Sequence, residues 1–158
     1  MNRSQVATVT GWREWVELPD IGIPHLETMI DTGTDITVLY ASFVEHYRRD
    51  NDLWVRFCVN TLVGEECSSA ICQAPVKSTE IHYSTGNQNE SFFVIEATIK
   101  IGGMQTKQDI VLKKQNGNQF IMRLGRKALQ DLNLQVDPGS SYVHGDYSDE
   151  QQTQMYCA

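Results

Sequence analysis

One short segment of the chain combines an acidic side chain with the residues that would let it do chemistry. Residues 29–35 read MIDTGTD, so Asp31 ends an apolar stretch and is followed by the hydroxyl residue Thr32 and by Gly33. Apolar surroundings favour the protonated form of a carboxyl group, and a glycine lets a second backbone approach closely. An acid in this position can share a proton with a partner, although a simple turn after a strand would use the same residues.

A second segment lies near the other end of the chain. Residues 120–129 read FIMRLGRKAL, in which Gly125 joins a strand to a short helix. Together the two segments resemble the retropepsin-like aspartic peptidases, in which an apolar pair, Gly-Arg and a helix complete the Asp-Thr-Gly loop. Residues 31–39, DTGTDITVL, are especially similar to the active-site loop of retroviral proteases.

A resemblance over residues 9–146 points to one bacterial branch of these peptidases. That family is often labelled "ATP-dependent zinc protease" and is associated with the ribosomal-protein glutamate ligase RimK. Its motifs occur here as GWREWV (11–16), LPDIGIP (18–24), APV (74–76), LGRKAL (124–129) and VDPGSSY (136–142). The resemblance implies a closed acid-protease β-barrel.

The resemblance also assigns roles to residues of the two segments. The catalytic group is predicted to be Asp31, Thr32 and Gly33, with Thr32 bonding across a dimer axis and Gly33 leaving room for substrate backbone. Substrate binding falls to Thr34, Asp35 and Arg123, and support of the loop to Gly125 and Arg126. As in retroviral proteases, Asp35 is expected to pair with Arg126, although an exposed acid without a partner is the alternative.

The number of carboxylates decides the expected assembly. Hydrolysis without a metal or a nucleophile needs a base for water and an acid for the leaving amide, and two carboxylates sharing one proton supply both. This chain has one Asp-Thr-Gly triplet. A peptidase of this kind is therefore predicted to be a homodimer, in which Asp31 meets its symmetry mate on a two-fold axis.

Arg123 departs from the family pattern, which has an apolar residue lining the substrate cleft at this position. An arginine facing the cleft would favour acidic side chains in the substrate, in line with the family's link to glutamate-tailed proteins. Alternatively, the strand is offset and Arg123 points to solvent.

Composition limits the other partners and the location. The chain has 158 residues, with 20 acidic and 13 basic side chains and a net charge of -7, so nucleic acid and anionic membranes are not the expected partners. The absence of a secretory or membrane-spanning run predicts a cytoplasmic protein. The sequence contains no HExxH or GxxxxGK[ST] motif, so no metal or other cofactor is predicted. The four cysteines are expected to be reduced thiols, with a Cys67 to Cys72 bridge as the alternative.

Gly, Pro and Asn punctuate segments rich in β-branched and aromatic residues, which predicts a mostly β single domain over residues 1–147, followed by a disordered tail at 148–158. Two short helices are predicted, at 42–49 and 126–132. Residues 63–75 are predicted to be a loop or hairpin tip that acts as a lid, and an antiparallel meander is predicted from residue 76 to residue 124. Gly102 and Gly103 are expected to form a hairpin turn or, alternatively, the tip of the flap.

Two functions follow from these observations. The first is a peptidase acting on an extended, acidic or glutamate-tailed peptide. The second is a binding or regulatory module that keeps the fold, has little or no hydrolytic activity, and acts on a glutamate ligase.

Overall fold

The protein is described by a computed structural model that covers residues 6–63, 66–82, 90–117 and 120–146, with the backbone alone for 61–63 and 66–68. Within these residues the elements are twelve strands, one 3-10 helix (Pro19–Ile21) and one α-helix: β1 (Thr8–Thr10), β2 (Arg13–Leu18), β3 (Ile23–Ile30), β4 (Thr37–Ala41), β5 (Val44–Arg49), β6 (Asp52–Val63), β7 (Glu66–Pro75), β8 (Ser78–His82), β9 (Glu90–Ile101), β10 (Met104–Lys114), β11 (Met122–Leu124), α1 (Arg126–Asp131) and β12 (Leu134–Val136). The predicted tail at 148–158 lies outside the described residues.

Six of these strands close into a barrel. They follow the order β10, β4, β11, β3, β2, β9, and β9 pairs back to β10, while β8 extends the sheet beyond β9. Alternate residues of the barrel strands point inward, among them Leu39, Ile99 and Met122, which are fully buried. The predicted all-β acid-protease barrel is therefore confirmed.

The predicted meander holds for only part of its length. Strands β8, β9 and β10 run antiparallel in sequence, and the turn at Gly102 and Gly103 joins β9 to β10 as expected. The next strand, β11, does not continue the series. It inserts between β3, to which it is parallel, and β4, to which it is antiparallel. This insertion brings the second segment, residues 120–129, beside Asp31.

The helix predicted at 42–49 is wrong, because Val44–Arg49 forms β5 and pairs with β6. The two strands are joined by Asp50 and Asn51, which have φ values of 51° and 68°. Two consecutive residues with positive φ form the tight hairpin turn whose twist matches that of its strands, and Asp and Asn tolerate this conformation better than most residues. The signal that the helical spacing concealed was therefore the turn.

The segment predicted as a loop at 63–75 is mostly strand β7, paired with β6 from Trp54 and Pro75 to Val63 and Glu66. Its small residues hide a two-residue alternation, in which Cys72 and Ala74 are buried and Ile71 is exposed. Strands β5, β6 and β7 make a sheet separate from the barrel sheet. Cys58 and Cys72 are free thiols, and burial, followed by the nearby Cys58, raises the pKa of Cys72 to about 11.

Candidate active site

Asp31 follows directly after β3, at the point where three strands meet. Its backbone N–H donates to the carbonyl of Leu124 on β11 (2.9 Å), and the preceding residue, Ile30, donates to the carbonyl of Trp12 (2.8 Å). The carboxylate Oδ1 accepts a hydrogen bond from the N–H of Gly33 (2.8 Å), so the loop curls around the acid. The side chain is 16% exposed, which leaves the carboxylate at the surface of the barrel and accessible.

The segment that begins α1 holds the loop after Asp31 through backbone hydrogen bonds. The N–H groups of Arg126 and Lys127 donate to the carbonyls of Thr34 (2.9 Å) and Asp35 (3.1 Å). The N–H of Gly125 donates to the hydroxyl of the buried Thr37 (3.1 Å). The two segments that the sequence predicts to form one site are therefore in direct contact.

Gly125 is at this position because the two backbones nearly touch. A Cβ added there would lie 2.7 Å from the carbonyl oxygen of Asp35 and 2.7 Å from the carbonyl carbon of Ile36. Cβ atoms do not approach backbone atoms so closely, so any side chain would push the loop away from α1. The supporting role expected of Gly125 therefore has a steric basis.

The expected ion pair between Asp35 and Arg126 is not the contact that forms. Asp35 instead faces Lys127, with Oδ2 and Nζ 3.6 Å apart and both side chains more than half exposed. The guanidinium of Arg126 donates to the backbone carbonyl of Thr32 (2.9 Å). α1 begins at Arg126, and the next residue, Lys127, faces Asp35. The side chain of Arg126 extends instead to the backbone of Thr32. The side chain of Arg126 thus binds the backbone of the loop and not a carboxylate.

Arg123 points towards the acid and not away from it. One guanidinium nitrogen lies 3.6 Å from Oδ2 of Asp31, and the side chain is 38% exposed. At this distance the contact is an attraction between charges rather than a hydrogen bond. The Nε atom of Arg123 is buried and has no hydrogen-bond partner among the described residues. A positively charged, partly exposed group therefore lies beside Asp31.

The strand registers place Arg123 on the same face of the sheet as a cluster of buried valines. Arg123 lies opposite Met29 on one side and opposite Val38 on the other, and Val38 is paired in turn with Val111 of β10. Residues paired across strands point to the same face of a sheet. Asp31 and Arg123 thus lie at the edge of a largely apolar outer face, which we call the valine face, formed by Val38, Val94 and Val111.

Glu14 is a residue whose role the sequence did not reveal. It is fully buried, and its Oε1 accepts hydrogen bonds from the N–H groups of Gly11 (2.8 Å) and Val143 (2.9 Å). Gly11 also packs so tightly against Ser140 that a Cβ would lie 2.4 Å from its carbonyl oxygen. Glu14 therefore holds the segment near Val143 against the start of β2, which pairs with β3, the strand that precedes Asp31.

Aromatic rings from the start of β2 and from the segment near Val143 pack around Arg13. The guanidinium of Arg13 lies 4.8 Å from the ring centres of both Trp12 and Tyr142, and the ring of Tyr142 stacks on Trp15. The hydroxyl of Tyr142 donates to Glu27 (2.5 Å). Burial, and next the bond to Glu27, raises the pKa of Tyr142 to about 12. Arg13 also lies 3.7 Å from Glu27, so the motif GWREWV supplies packing and an ion pair.

A second acid, Asp137, and the grouping of metal-binding residue types also bear on the chemistry of the site. The carboxylate of Asp137 is engaged within its own turn, where Ser140 and the N–H of Gly139 donate to it and lower its pKa. In the parts of the chain that the structure describes, no three His, Cys, Asp or Glu side chains are grouped closely enough to hold a metal ion.

A closed six-stranded barrel with an Asp-Thr-Gly loop braced by a Gly-Arg turn is the arrangement of the retropepsin-like aspartic peptidases. A family model described as "RimB-like: Retropepsin-like aspartic endopeptidase RimB" matches residues 9–146. The chain belongs to this RimB-like family.

Curated relatives carry a different name. The chain is 28% identical, over 99% of its length, to a "Probable alpha-L-glutamate ligase" of Desulfotalea psychrophila, and it covers 33% of that protein. It is 25% identical, over 94% of its length, to a protein of the same name from Shewanella pealeana, of which it covers 32%. The chain thus spans about a third of the curated relatives that it matches.

A solved structure supports the fold. A Legionella pneumophila protein of unknown function superposes with a TM-score of 0.70 and 21% sequence identity, over 87% of this chain and 98% of that one.

Among the described residues, there is no helix with the length and apolar character required to cross a lipid bilayer.

Proposed function

We propose that this protein is an aspartic endopeptidase whose catalytic group is Asp31. The observation that carries the proposal is the placement of the Asp31 carboxylate, which is accessible and held by Gly33 at a loop that the Gly125 turn braces. One ionised carboxylate takes a proton from water, whose oxygen attacks the peptide carbonyl carbon. A protonated carboxyl group beside it gives its proton to the leaving nitrogen.

The second carboxyl group comes from a second copy of the chain. The chain contains one Asp-Thr-Gly triplet, and both Thr32 and Gly33 are exposed next to Asp31. A two-fold axis passing beside Asp31 would bring two identical loops together, because a symmetric dimer uses the same surface of each copy. Two carboxylates in contact cannot both ionise, so the pair would hold one shared proton. The homodimer is part of the proposal.

The substrate is an extended peptide with an acidic side chain near the scissile bond. Arg123 supports this choice, because its partly exposed guanidinium places a positive charge 3.6 Å from Oδ2 of Asp31. Thr34 and Asp35 lie in the same loop and would contact the peptide backbone.

We also propose that the hairpin of β6 and β7 closes over the peptide as the lid. The protein is further proposed to work in the cytoplasm.

A second candidate is a module that binds peptide or partner without hydrolysing it. The curated relatives favour this possibility, since they are named as glutamate ligases and only about a third of their length corresponds to this chain. In this alternative the barrel would dock on a glutamate ligase or on its glutamate-tailed product and regulate it.

The solution mass and the turnover of an acidic peptide library, measured for wild type and Asp31→Asn, separate the two candidates. We expect wild type to form a dimer that cleaves the library, and Asp31→Asn to lose turnover without losing its fold. A wild type that stays monomeric with and without a peptide-like aspartic-protease inhibitor, and cleaves nothing, would contradict the peptidase and favour the binding module. Circular dichroism of both proteins controls for folding.

A further inference from the structure

A second pocket lies on the valine face, away from Asp31. It has a volume of about 650 Å³ and opens where β4, β9 and β10 lie together. Its walls include the rings of Tyr40 and Phe92 and the side chains of Lys113 and Lys114. The roles assigned to the Asp31 loop do not use any of these residues, and the pocket has both apolar and charged walls.

The positive charge in this pocket is not neutralised by an ion pair among the described residues. The ammonium of Lys113 lies 3.4 Å from Nδ1 of His82 and 4.9 Å from the ring centre of Phe92. A ring nitrogen and a ring face orient an ammonium group without cancelling its charge. Lys114 is exposed beside it. One acid, Glu90, also lines the pocket, so the lysines outnumber it by two to one.

Strand register connects this pocket to the candidate active site. Arg123 is paired with Val38, and two residues further along β4, Tyr40 is paired with Lys113. With strands about 4.8 Å apart and about 3.3 Å of rise per residue, the Cα atoms of Arg123 and Lys113 are separated by roughly 12 Å on one face. An extended peptide covers that distance in about three to four residues.

We propose that this pocket, which we call the lysine pocket, binds an acidic side chain of the same peptide, three to four residues from the residue held by Arg123. The inference rests on the proposed function and specifies its substrate: an extended peptide with acidic residues at two separated positions. Three features support that occupant: the lysines without an ion pair among the described residues, the ring walls that accommodate the methylene groups of an acidic side chain, and the register that puts Lys113 on the same face of the sheet as Arg123.

The spacing of acids in a peptide tests the lysine pocket. The probes are short peptides of Ser and Ala that carry one fixed glutamate and a second glutamate moved by one position at a time on either side. Binding is measured by calorimetry on Asp31→Asn, so that the peptides are not consumed. We expect the tightest binding when the two acids are three to four residues apart, and a loss of about tenfold for that spacing in Lys113→Met or Lys114→Gln.

Three controls make the result specific. Lys107→Gln removes a charge from the same strand, where Lys107 pairs with Glu96 (3.6 Å), and should leave the spacing preference intact. Glu90→Gln should tighten binding of the preferred spacing, because it removes the acid that opposes the ligand. In Arg123→Gln the preference should disappear, since the peptide then has one anchor in place of two.

The proposal is overturned if Lys113→Met and Lys114→Gln weaken every peptide equally, or if neither variant changes the preferred spacing. Lys114 is exposed, so its variant keeps the test valid even if Lys113→Met folds poorly. The lysine pocket and the peptidase can fail separately. Turnover that vanishes in Asp31→Asn with no spacing preference would reject the pocket alone, and a spacing preference without any turnover would reject the peptidase alone.

Discussion

The guanidinium of Arg123 lies 3.6 Å from the carboxylate of Asp31, on a strand that reaches the site from the far end of the sequence. Both side chains are partly exposed, and an ion pair of this kind contributes about 0 to 1 kcal/mol. Such a weak pair can be exchanged for a stronger contact. A substrate carboxylate that accepts two parallel hydrogen bonds from the guanidinium would release Asp31 for the partner carboxyl group.

Replacing Arg123 should therefore change specificity more than stability. In Arg123→Ala we expect the preference for acidic over neutral peptides to fall by about tenfold, because a charge-assisted hydrogen bond to the substrate is lost. The measurement is peptide binding to both proteins, with Arg48→Ala, an exposed arginine on β5, as a control for the loss of a surface arginine. Equal preference for acidic peptides in wild type and Arg123→Ala would remove the assigned role.

Gly125 should be intolerant of the smallest side chain. Its Cβ would lie 2.7 Å from the carbonyl oxygen of Asp35, so Gly125→Ala must displace the active-site loop at a cost of about 3 kcal/mol in the free energy of unfolding. Gly103→Ala is the matched control, because no atom lies within 4 Å of a Cβ there. Urea unfolding compares the two variants. A Gly125→Ala protein as stable as Gly103→Ala would show that the loop can move without cost.

Arg126 and Lys127 should differ although both are cations at the start of α1. Arg126→Ala removes the hydrogen bond to the carbonyl of Thr32 and should cost about 1 kcal/mol of stability, with a larger effect on turnover. Lys127→Ala breaks only an exposed pair with Asp35 and should cost less than about 0.5 kcal/mol.

A double-mutant cycle decides which partner Asp35 has. Urea unfolding of Asp35→Ala combined in turn with Arg126→Ala and with Lys127→Ala should give additive effects with the arginine and a small coupling with the lysine. A clear coupling between Asp35 and Arg126 would restore the ion pair expected from the retroviral pattern.

Tyr142 should make stability depend on alkaline pH. Its pKa is raised from 10 to about 12 in the folded protein, so the fold favours the protonated phenol. That contribution is complete below pH 10 and is lost as the pH rises towards 12, because the unfolded chain ionises first. Tyr142→Phe cannot ionise, so its stability should fall less steeply than that of wild type in this interval. Parallel slopes in urea unfolding at several pH values would contradict the effect.

The sequence by itself determined the parts of the protein that depend on local chemistry. An acid after an apolar strand, followed by Thr32 and Gly33, identified the loop, and the Gly125 turn with its short helix identified the segment that braces it. Most strands could be found because their alternation of buried and exposed residues spans only a few positions. The same signal failed at β5, where the turn at Asp50 and Asn51 outweighed a helical spacing.

Only the tertiary structure decided which side chains meet across strands. The register between β11 and β4, and that between β4 and β10, put Arg123 and Lys113 on the same face of the sheet. The start of α1 placed Lys127, and not Arg126, beside Asp35. A shift of one residue in any of these pairings would reverse the faces. Such pairings join residues far apart in the chain, and no local pattern of residue types encodes them.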